Sequence, residues 1–380
     1  MTDSFDIVVI GAGIAGASVA SELARTHRVA VLEREQFPGY HSTGRSAALF
    51  SEIYGNSVVR ALSRASREFF YAPPAGFAET ALVKPRGALY IARVDQAPRL
   101  EEFAVNPDVN PAVRRVSRED AIRMCPILRP DYVHTAVLEP DAADVDVDAL
   151  HQGYLRAFRA AGGTLIADSD ARQLTRSGGG WRIRTGGTEY LSRIVVNAAG
   201  AWADAIAVIA GAAPLGIQPC RRTAVLVEPP VDLFSDSWPM VIDVDETFYL
   251  KPDAGLLLIS PADETPLAAC DVQPEELDVA IAVDRVERAT TLKINRIRRR
   301  WAGLRSFAPD RSPVIGFDPQ LPDFFWLAGQ GGYGIQTAPA ASRVASALLR
   351  GDTAVGASSA VDTSALSPRR FAVARRRTTA

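Results

Sequence analysis

The stretch DIVVIGAGIAG, residues 6–16, runs from a β-branched segment straight into three spaced glycines. A buried strand followed by Gly-x-Gly-x-x-Gly at the start of a helix is typical of dinucleotide-binding βαβ units. Gly11 permits the tight turn, Gly13 lets the backbone approach a pyrophosphate, and Gly16 lets the helix pack on the strand. The free N–H groups at the helix start then favour a phosphate.

An acid at the end of the next apolar run strengthens this prediction. Residues 29–32 are apolar, and Glu33 follows them, twenty residues beyond Gly13. Its carboxylate would accept hydrogen bonds from ribose hydroxyls and repel a 2′-phosphate. Glu33 alone does not separate FAD from NAD. A glycine-rich turn of an unrelated α/β fold is the alternative, which the strand, helix and acid together disfavour.

The segment PGYHSTGRSAA, residues 38–48, lies where a larger nucleotide would continue beyond its adenosine half. Ser42, Thr43 and Ser46 can donate hydroxyl hydrogen bonds, and Arg45 can supply a charge, to a pyrophosphate or a flavin edge. A solvated loop is the alternative interpretation of this segment taken alone.

Composition excludes several classes of protein. A chain of 380 residues with 47% hydrophobic residues suggests two globular domains. The net charge of −2 predicts no nucleic-acid partner. The apolar stretch 205–217 is interrupted by Gly211 and Pro214, so no membrane span is predicted. The arginines at 375–377 are expected to form a frayed tail rather than a nucleic-acid site.

The thiols and imidazoles indicate neither a disulfide framework nor a metal site. Cys125, Cys220 and Cys270 are far apart, and the four histidines have no metal-ligand spacing. The N-terminus carries no signal-peptide pattern, so a cytoplasmic protein is expected.

The order of predicted elements favours an α/β fold, α+β overall, in which a strand-rich substrate domain is inserted into a Rossmann-like FAD-binding domain. The FAD-binding domain is predicted to comprise residues 1–81, 141–220 and 303–380, and the substrate domain residues 82–140 and 221–302. Helices are predicted at 148–161, 202–210, 274–292 and 335–349, and a strand at 324–328.

Several long strings carry a resemblance to a known family: GAGIAGASVA (11–20), PGYHSTGRSAA (38–48), VVNAAGAWADAIA (195–207), FYLKPDAG (248–255), WAGLRSF (301–307) and GQGGYGIQT (329–337). The chain resembles the D-amino-acid oxidase superfamily of FAD-dependent enzymes, and within it the bacterial D-arginine dehydrogenases. The resemblance implies FAD, held non-covalently because no cysteine matches a covalent attachment position. The residues it implies for FAD binding are Gly11, Gly13, Ile14, Ala15, Gly16, Glu33, Arg34, Ser42, Thr43, Arg45, Ser46, Ala47, Ala171, Ala199, Gly200, Trp202, Gly331, Gly332, Tyr333, Gly334 and Ile335.

Oxidation of an amino acid requires a group that binds its carboxylate, and arginine suits this because its guanidinium is a charged bidentate fork. Arg222 and Arg305 both lie in apolar strand-like segments, where a cation needs a partner. A structural salt bridge is the equally weighted alternative for each. By resemblance, both arginines bind the substrate carboxylate, and Tyr54 and Tyr249 are active-site tyrosines.

The segment Gly329-Gln330-Gly331-Gly332-Tyr333-Gly334 repeats the Gly-x-Gly-x-x-Gly spacing. A second dinucleotide site, for NADH, is the alternative; we reject it because no further βαβ strand ending in an acid follows. By resemblance, these glycines let the backbone approach the flavin ring, with the helix start stabilising its reduced form.

The expected substrate pocket departs from the D-arginine dehydrogenases at two positions. Ala88 stands where they carry a glutamate that meets the guanidinium, and Leu49 stands where they carry a histidine. A cationic side chain would lose its charge partner there. Glu52 could supply a replacement carboxylate. The pocket is expected to be lined by Leu49, Ser51, Ala88, Met240, Ile242 and Gly332.

The sequence thus predicts a FAD-dependent D-amino-acid dehydrogenase or oxidase that transfers a hydride from Cα to flavin N5 and gives an imino acid. The side chain is expected to be neutral or apolar. The alternatives are oxidation of a secondary amine or a glycine-like substrate, an NAD(P)H-dependent flavin reductase or monooxygenase, and a non-catalytic flavoprotein. The electron acceptor, quinone or oxygen, and the oligomeric state stay open.

Overall fold

The computed structural model describes residues 3–233, 235–352 and 361–371. The arginine run 375–377, with the end of the last predicted FAD-domain segment, lies outside the described residues.

The strands form two large sheets and one small one within this described part of the chain. In chain order they are β1 (Asp3–Ile10), β2 (Val29–Leu32), β3 (Leu49–Phe50), β4 (Val83–Pro85), β5 (Ala88–Ala92), β6 (Arg114–Val116), β7 (Thr135–Glu139), β8 (Ala143–Val145), β9 (Thr164–Ile166), β10 (Gln173–Ser177), β11 (Gly180–Arg184), β12 (Glu189–Asn197), β13 (Gln218–Val227), β14 (Met240–Asp243), β15 (Tyr249–Asp253), β16 (Leu256–Ser260), β17 (Thr265–Pro266), β18 (Ile297–Phe307), β19 (Val314–Phe317), β20 (Phe324–Ala328) and β21 (Gln330–Gly331).

The helices pack on the faces of these sheets. They are α1 (Ile14–Leu23), α2 (Ser57–Tyr71), α3 (Ala97–Val105), α4 (Arg118–Met124), α5 (Val147–Ala160), α6 (Ala203–Ala210), α7 (Glu276–Ala289) and α8 (Gly334–Arg350). The predicted helices 148–161, 202–210, 274–292 and 335–349 correspond to α5, α6, α7 and α8, with ends displaced by at most three residues. The strand predicted at 324–328 is β20.

The first sheet has the order β10-β11-β12-β1-β2-β9, and β20 pairs with β12 and β19. Strands β9, β2, β1, β12 and β20 are parallel. Successive residues of β1 serve opposite faces, as strand geometry dictates. Ile7 and Val9 join the core that includes α1 and α8, whereas Val8 and Ile10 join the core that includes α6. Helices therefore cover both faces, as expected of a Rossmann-like sheet.

The second sheet has the order β21-β18-β13-β16-β15-β14-β5-β7-β6 and is antiparallel except where β14 pairs with β5. Its β13–β18 ladder runs from Gln218 opposite Phe307 to Val227 opposite Ile297. Apolar residues of α7 pack with those of β5, β7 and β15 in one core. The ladder matters for function because Arg222 and Arg305 lie on its two strands.

The strands of the small sheet β3-β8-β4 lie, along the chain, between strands of the first sheet and strands of the second sheet. We propose that the first sheet and the second sheet belong to the two predicted domains, with boundaries near those expected. Strand β18 crosses the proposed boundary at residue 302, and β21 pairs with the second sheet although it falls in the predicted FAD-binding segment.

Two general features of the structure concern the class of protein. The fold is mixed α/β, as the sequence predicted. In the described ranges, every helix is too short or too polar to cross a bilayer.

Candidate functional site

The glycine motif forms the turn between β1 and α1. Gly11 has φ +98°, a conformation that side chains disfavour, and a Cβ there would lie 2.6 Å from the Ala198 oxygen. A Cβ on Gly16 would lie 1.8 Å from the Gly11 oxygen, so only glycine lets α1 pack this closely on the turn. The first N–H groups of α1 have no partner within the helix and face the cleft described below.

Glu33 lies at the carboxyl end of β2 and is buried. Its Oε2 accepts a hydrogen bond of 2.8 Å from the Ala12 N–H, and its Oε1 accepts one of 3.0 Å from the Glu35 N–H. These bonds aim the carboxylate beside the glycine turn. Thr43 completes the arrangement because its Oγ1 accepts a 3.0 Å bond from the Ile14 N–H.

A cleft of about 570 Å³ extends from Glu33 past the glycine turn to Arg305. Of the residues expected to bind FAD, all but Gly16 and Tyr333 line it. Gly16 lies beneath the turn, and Tyr333 packs its buried ring against Tyr54, 5.0 Å between centroids. Residues that the sequence did not single out also line the cleft, namely His41, Ser169, Asp170, Arg172, Ala205, Ile206, Ile209, Leu304, Ser306 and Gln330.

Two arginines of the cleft have protein partners already. The Arg45 guanidinium donates to the Val272 carbonyl at 2.9 Å and forms an ion pair with Asp271. It therefore ties the 38–48 segment to residues 271–272, a role that the predicted phosphate contact did not foresee. The Arg34 guanidinium lies over the Trp202 ring, 4.7 Å from its centroid.

A smaller cavity of about 80 Å³ adjoins the cleft. Residues that line both spaces mark their junction: Ser46, Ala47, Arg222, Tyr249, Arg305, Gly332 and Ile335. The cavity is also lined by Ala48, Leu49, Ser51, Tyr54, Tyr90, Met240, Ile242, Glu246, Phe248, Ala262 and Gln336. The structure thus brings the four predicted catalytic residues together with most of the predicted pocket.

Arg305 is the cation at the centre of this junction. Its Nη1 donates a 3.0 Å hydrogen bond to the Tyr54 hydroxyl, and among the described residues it has no carboxylate partner. Burial alone would lower the pKa of Arg305, but the phenolic oxygens of Tyr54 and Tyr249 outweigh it and hold that pKa above its ordinary value. A Cβ on Gly332 would lie 2.7 Å from Arg305 Nη1, so this glycine makes room for the guanidinium.

Arg222 is paired within the protein, unlike Arg305. Its Nε donates to the Asp263 carbonyl at 2.8 Å, and its Nη2 lies 3.1 Å from Glu264 Oε1. The structural salt bridge that competed with substrate binding in the sequence interpretation is thus present. Arg222 still lines both the cleft and the cavity, so its remaining N–H groups are available there.

The structure changes the interpretation of Ala88 and Glu52, the two positions at which the sequence analysis considered a charge partner for the substrate. Ala88 is fully buried and lines neither space, whereas Ser51 and Tyr90 line the cavity. The Glu52 carboxylate does not face the cavity: its Oε1 lies 2.7 Å from Arg67 Nη1 on α2. In this arrangement, Glu52 therefore does not supply a replacement charge partner for a cationic substrate side chain.

Two acids near the cavity were missed by the sequence interpretation. Glu246, in the turn between β14 and β15, is exposed, has φ +53° and lines the cavity. Glu139, at the end of β7, is only 1% exposed, and burial raises its pKa to about 7. The available signal for Glu139 was a carboxylate at the end of the mostly apolar run 135–138. Nothing in the local sequence marked Glu246.

Comparison with known proteins decides the family. The model of the family DAO, FAD dependent oxidoreductase, matches residues 6–348. The chain belongs to the DAO family of FAD-dependent oxidoreductases.

Relatives in the DAO family cover nearly the whole chain. Glycine oxidase of Geobacillus kaustophilus (strain HTA426) is 24% identical over 354 residues, 89% of this chain and 91% of that protein. Its crystal structure superposes with a TM-score of 0.80 at 22% identity, covering 96% and 98% of the two chains. L-proline dehydrogenase from P. horikoshii superposes with a TM-score of 0.85 at 24% identity, covering 98% and 99%. These relatives support the family and the fold, but not the narrower resemblance to D-arginine dehydrogenases.

The cleft fits the FAD on which this family depends. The glycine turn leaves no room for side chains where the backbone must approach a pyrophosphate, and Glu33 lies at the ribose-binding position. Gly331, Gly332 and Gly334 line the opposite end of the cleft, beside Arg305. We expect Glu33, the α1 start and these glycines to hold the cofactor.

Proposed function

We propose that this chain oxidises the Cα–N bond of a small amino acid whose carboxylate is bound by Arg305. The observation that carries the proposal is the guanidinium of Arg305 at the junction of cleft and cavity, which has no carboxylate partner among the described residues. A partly buried guanidinium without a carboxylate is costly, and a substrate carboxylate is the partner that its bidentate fork fits. The D configuration and a neutral or apolar side chain are the substrate features we expect.

The side chains at the junction divide the work of binding. Bound FAD supplies the acceptor for the hydride that leaves the substrate Cα, while the amine loses a proton and an imino acid results. Arg305 holds the carboxylate, and the Tyr54 hydroxyl, whose oxygen already accepts from Arg305, can donate its proton to the same carboxylate. Tyr249, buried on β15, borders the same junction and limits the orientation of Cα.

The size and walls of the cavity favour a small, uncharged side chain. One water needs about 10–15 Å³ of such space, so 80 Å³ holds roughly five to eight non-hydrogen atoms. Leu49, Met240 and Ile242 give it apolar walls, which gain by burying methylene groups. Glu246 is the carboxylate that borders it, and its exposure to solvent weakens its attraction for a cation.

A glycine-like substrate or a secondary amine is the second candidate, favoured by the same small volume. Relatives named glycine oxidase and sarcosine dehydrogenase point in that direction. An NAD(P)H-dependent reductase or monooxygenase is disfavoured, since the second glycine motif packs against Arg305 instead of opening a separate nucleotide site.

The location and the electron acceptor also belong to this proposal. Three free cysteines, two of them buried, suit a reducing compartment, so we propose a cytoplasmic enzyme. Reoxidation of the flavin by a quinone or by oxygen is equally compatible with the site.

Anaerobic reduction of the bound flavin by a substrate panel tests the proposal. The panel contains glycine, N-methylglycine, the D and L forms of alanine, leucine, methionine and arginine, and NADPH. We expect neutral D-amino acids to give a higher kcat/KM than D-arginine, because only side-chain interactions differ between them. Fastest reduction by NADPH would refute the proposed function. Fastest reduction by D-arginine would refute the argument from the cavity walls, and Glu246→Gln would then be the next variant.

A further inference from the structure

A buried carboxyl group lies directly behind the wall of the small cavity. Glu139 Oε2 accepts a 2.7 Å hydrogen bond from the Ser51 hydroxyl, and its Oε1 accepts a 2.9 Å bond from the Glu52 N–H. The Ile53 N–H lies 3.4 Å from the same Ser51 oxygen. One side chain of β7 thus organises the start of the segment formed by residues 51–54.

This segment, called here the Tyr54 segment, connects Glu139 with the substrate-binding arginine. It begins with Ser51, which lines the cavity, and ends with Tyr54, which bonds to Arg305. Ser51 and Glu139 are 88 residues apart in the sequence, so their contact depends on the fold rather than on chain proximity. A change at Glu139 is therefore transmitted to Arg305 through only four residues.

We propose that Glu139 is a positioning residue that holds the Tyr54 segment, and with it the Tyr54 hydroxyl on Arg305, while its carboxyl group is neutral. The neutral acid keeps both bonds: its carbonyl oxygen accepts from the Glu52 N–H, and its O–H donates to the Ser51 oxygen, the reverse of the bond in which the Ser51 hydroxyl donates to the carboxylate. Ionisation places a negative charge in the interior with no cation bonded to it among the described residues. The inference uses the proposed function only in treating the cavity as the substrate cavity.

The pKa of Glu139 supports a switch in the neutral range. Burial raises it from 4.5 to about 7, and the bonds from Ser51 and the Glu52 N–H only partly offset that effect. The other titratable groups facing it are Glu52, whose charge raises it further, and Tyr71 of α2 and Tyr90 of β5. Arg67 is bonded to Glu52 rather than to Glu139.

Linkage gives the direction of the effect. If the Tyr54 segment opens and Glu139 becomes hydrated, its pKa falls toward the ordinary value, so ionisation favours the open form. Protonation accordingly favours the closed form. The difference between 4.5 and 7 sets an upper limit of about 300-fold on the change in the opening equilibrium.

Amide hydrogen exchange of the FAD-loaded protein, without substrate, measures this opening. Glu139→Gln imitates the neutral acid, because its amide oxygen can accept from the Glu52 N–H while its NH2 donates to Ser51. At about pH 4, below the ordinary pKa of a glutamate, we expect the Glu52 and Ile53 amides of the variant and the parent to exchange at equal rates. At pH 8.5 the parent should exchange at least ~10-fold faster than the variant. Equal exchange at pH 8.5, or faster exchange in the variant, overturns the proposal.

Two neighbouring variants make the test independent of the folding of Glu139→Gln. Glu52→Gln removes a charge that raises the pKa of Glu139, so the exchange transition should move to lower pH. Ser51→Ala removes a bond that lowers the pKa, so the transition should move to higher pH. If Glu139 had a purely structural role, the two variants would not displace the exchange transition in opposite directions. The proposal is refuted if these opposite displacements are not observed. If no amino acid reduces the flavin, the proposed function fails while these exchange results keep their meaning.

Discussion

Replacement of Arg305 by methionine removes the guanidinium while keeping an unbranched side chain of similar reach. Arg305 contributes the unpaired fork at the junction, and Gly332 leaves the space in which it lies. A charge-assisted hydrogen bond contributes about 1.5–3 kcal/mol. Loss of a bidentate pair therefore costs roughly 3–6 kcal/mol before neighbouring groups compensate. Arg222 keeps part of the positive charge, so we expect Arg305→Met to lower kcat/KM by about 100- to 1,000-fold.

The assay compares flavin reduction rates across a series of variants with one amino-acid substrate. Arg305→Lys keeps the charge but loses the fork, so its loss of kcat/KM should fall between those of the parent and Arg305→Met. Arg222→Met should cost less, about 10-fold, because Glu264 already neutralises much of that guanidinium. Arg299→Met serves as the matched control, since Arg299 lies on the same strand, is exposed and lines neither space.

The position of Arg305 also predicts which kinetic constant responds. The carboxylate is bound both before and during hydride transfer, so KM should rise and kcat should fall less. All variants must retain FAD, which absorbance after gel filtration verifies. Near-parental kcat/KM in Arg305→Met, with FAD bound, would refute the assignment of the carboxylate site to this residue.

Two further predictions concern the cofactor and the buried acid. The absence of a cysteine matching a covalent attachment position predicts non-covalent FAD, so acid precipitation should release the flavin into the supernatant, and flavin that stays with the precipitate would contradict this. The raised pKa of Glu139 means that the native protein keeps a proton that the unfolded chain releases between about pH 4.5 and 7. Stability should therefore fall as pH rises through that window, and urea titrations should show that Glu139→Gln abolishes up to about 3 kcal/mol of this fall, whereas an unchanged pH dependence would show that Glu139 is ionised in the native state.

Most residues that the sequence predicted for the cofactor half of the site line one cleft, because their signals are local. The glycine turn, Glu33 and the 38–48 segment act within a single βαβ unit, where chain order and spatial order coincide. The fold class followed from the same unit and from the recurrence of helices and strands. Helix ends were displaced by a few residues because the last turn is decided by packing and caps outside the periodic pattern.

The substrate half depended on contacts between distant segments, which the residues alone do not reveal. Arg305 and Tyr54 are 251 positions apart, and their bond exists only because β18 and the Tyr54 segment meet at the junction. Arg305 was a candidate because of its apolar segment, whereas only the family resemblance singled out Tyr54. The pairing of Arg222 with Glu264 and of Glu52 with Arg67 could not be read from spacing either.

The pairing of strands β5 and β7 connects position 88 with the buried carboxyl group of Glu139. Ala88 and Glu139 are direct partners in the β5–β7 ladder, so their side chains lie on the same face of the sheet. A second carboxylate at position 88 would meet Glu139 at close range, and two such acids cannot both ionise without a large cost. With alanine at 88, Glu139 is the one acid of this pair, and it bonds to the Tyr54 segment. Alanine at 88 therefore leaves a cationic substrate side chain without a carboxylate partner at this position, which favours a neutral side chain, and it avoids a second charge beside the carboxyl group that we propose holds the Tyr54 segment.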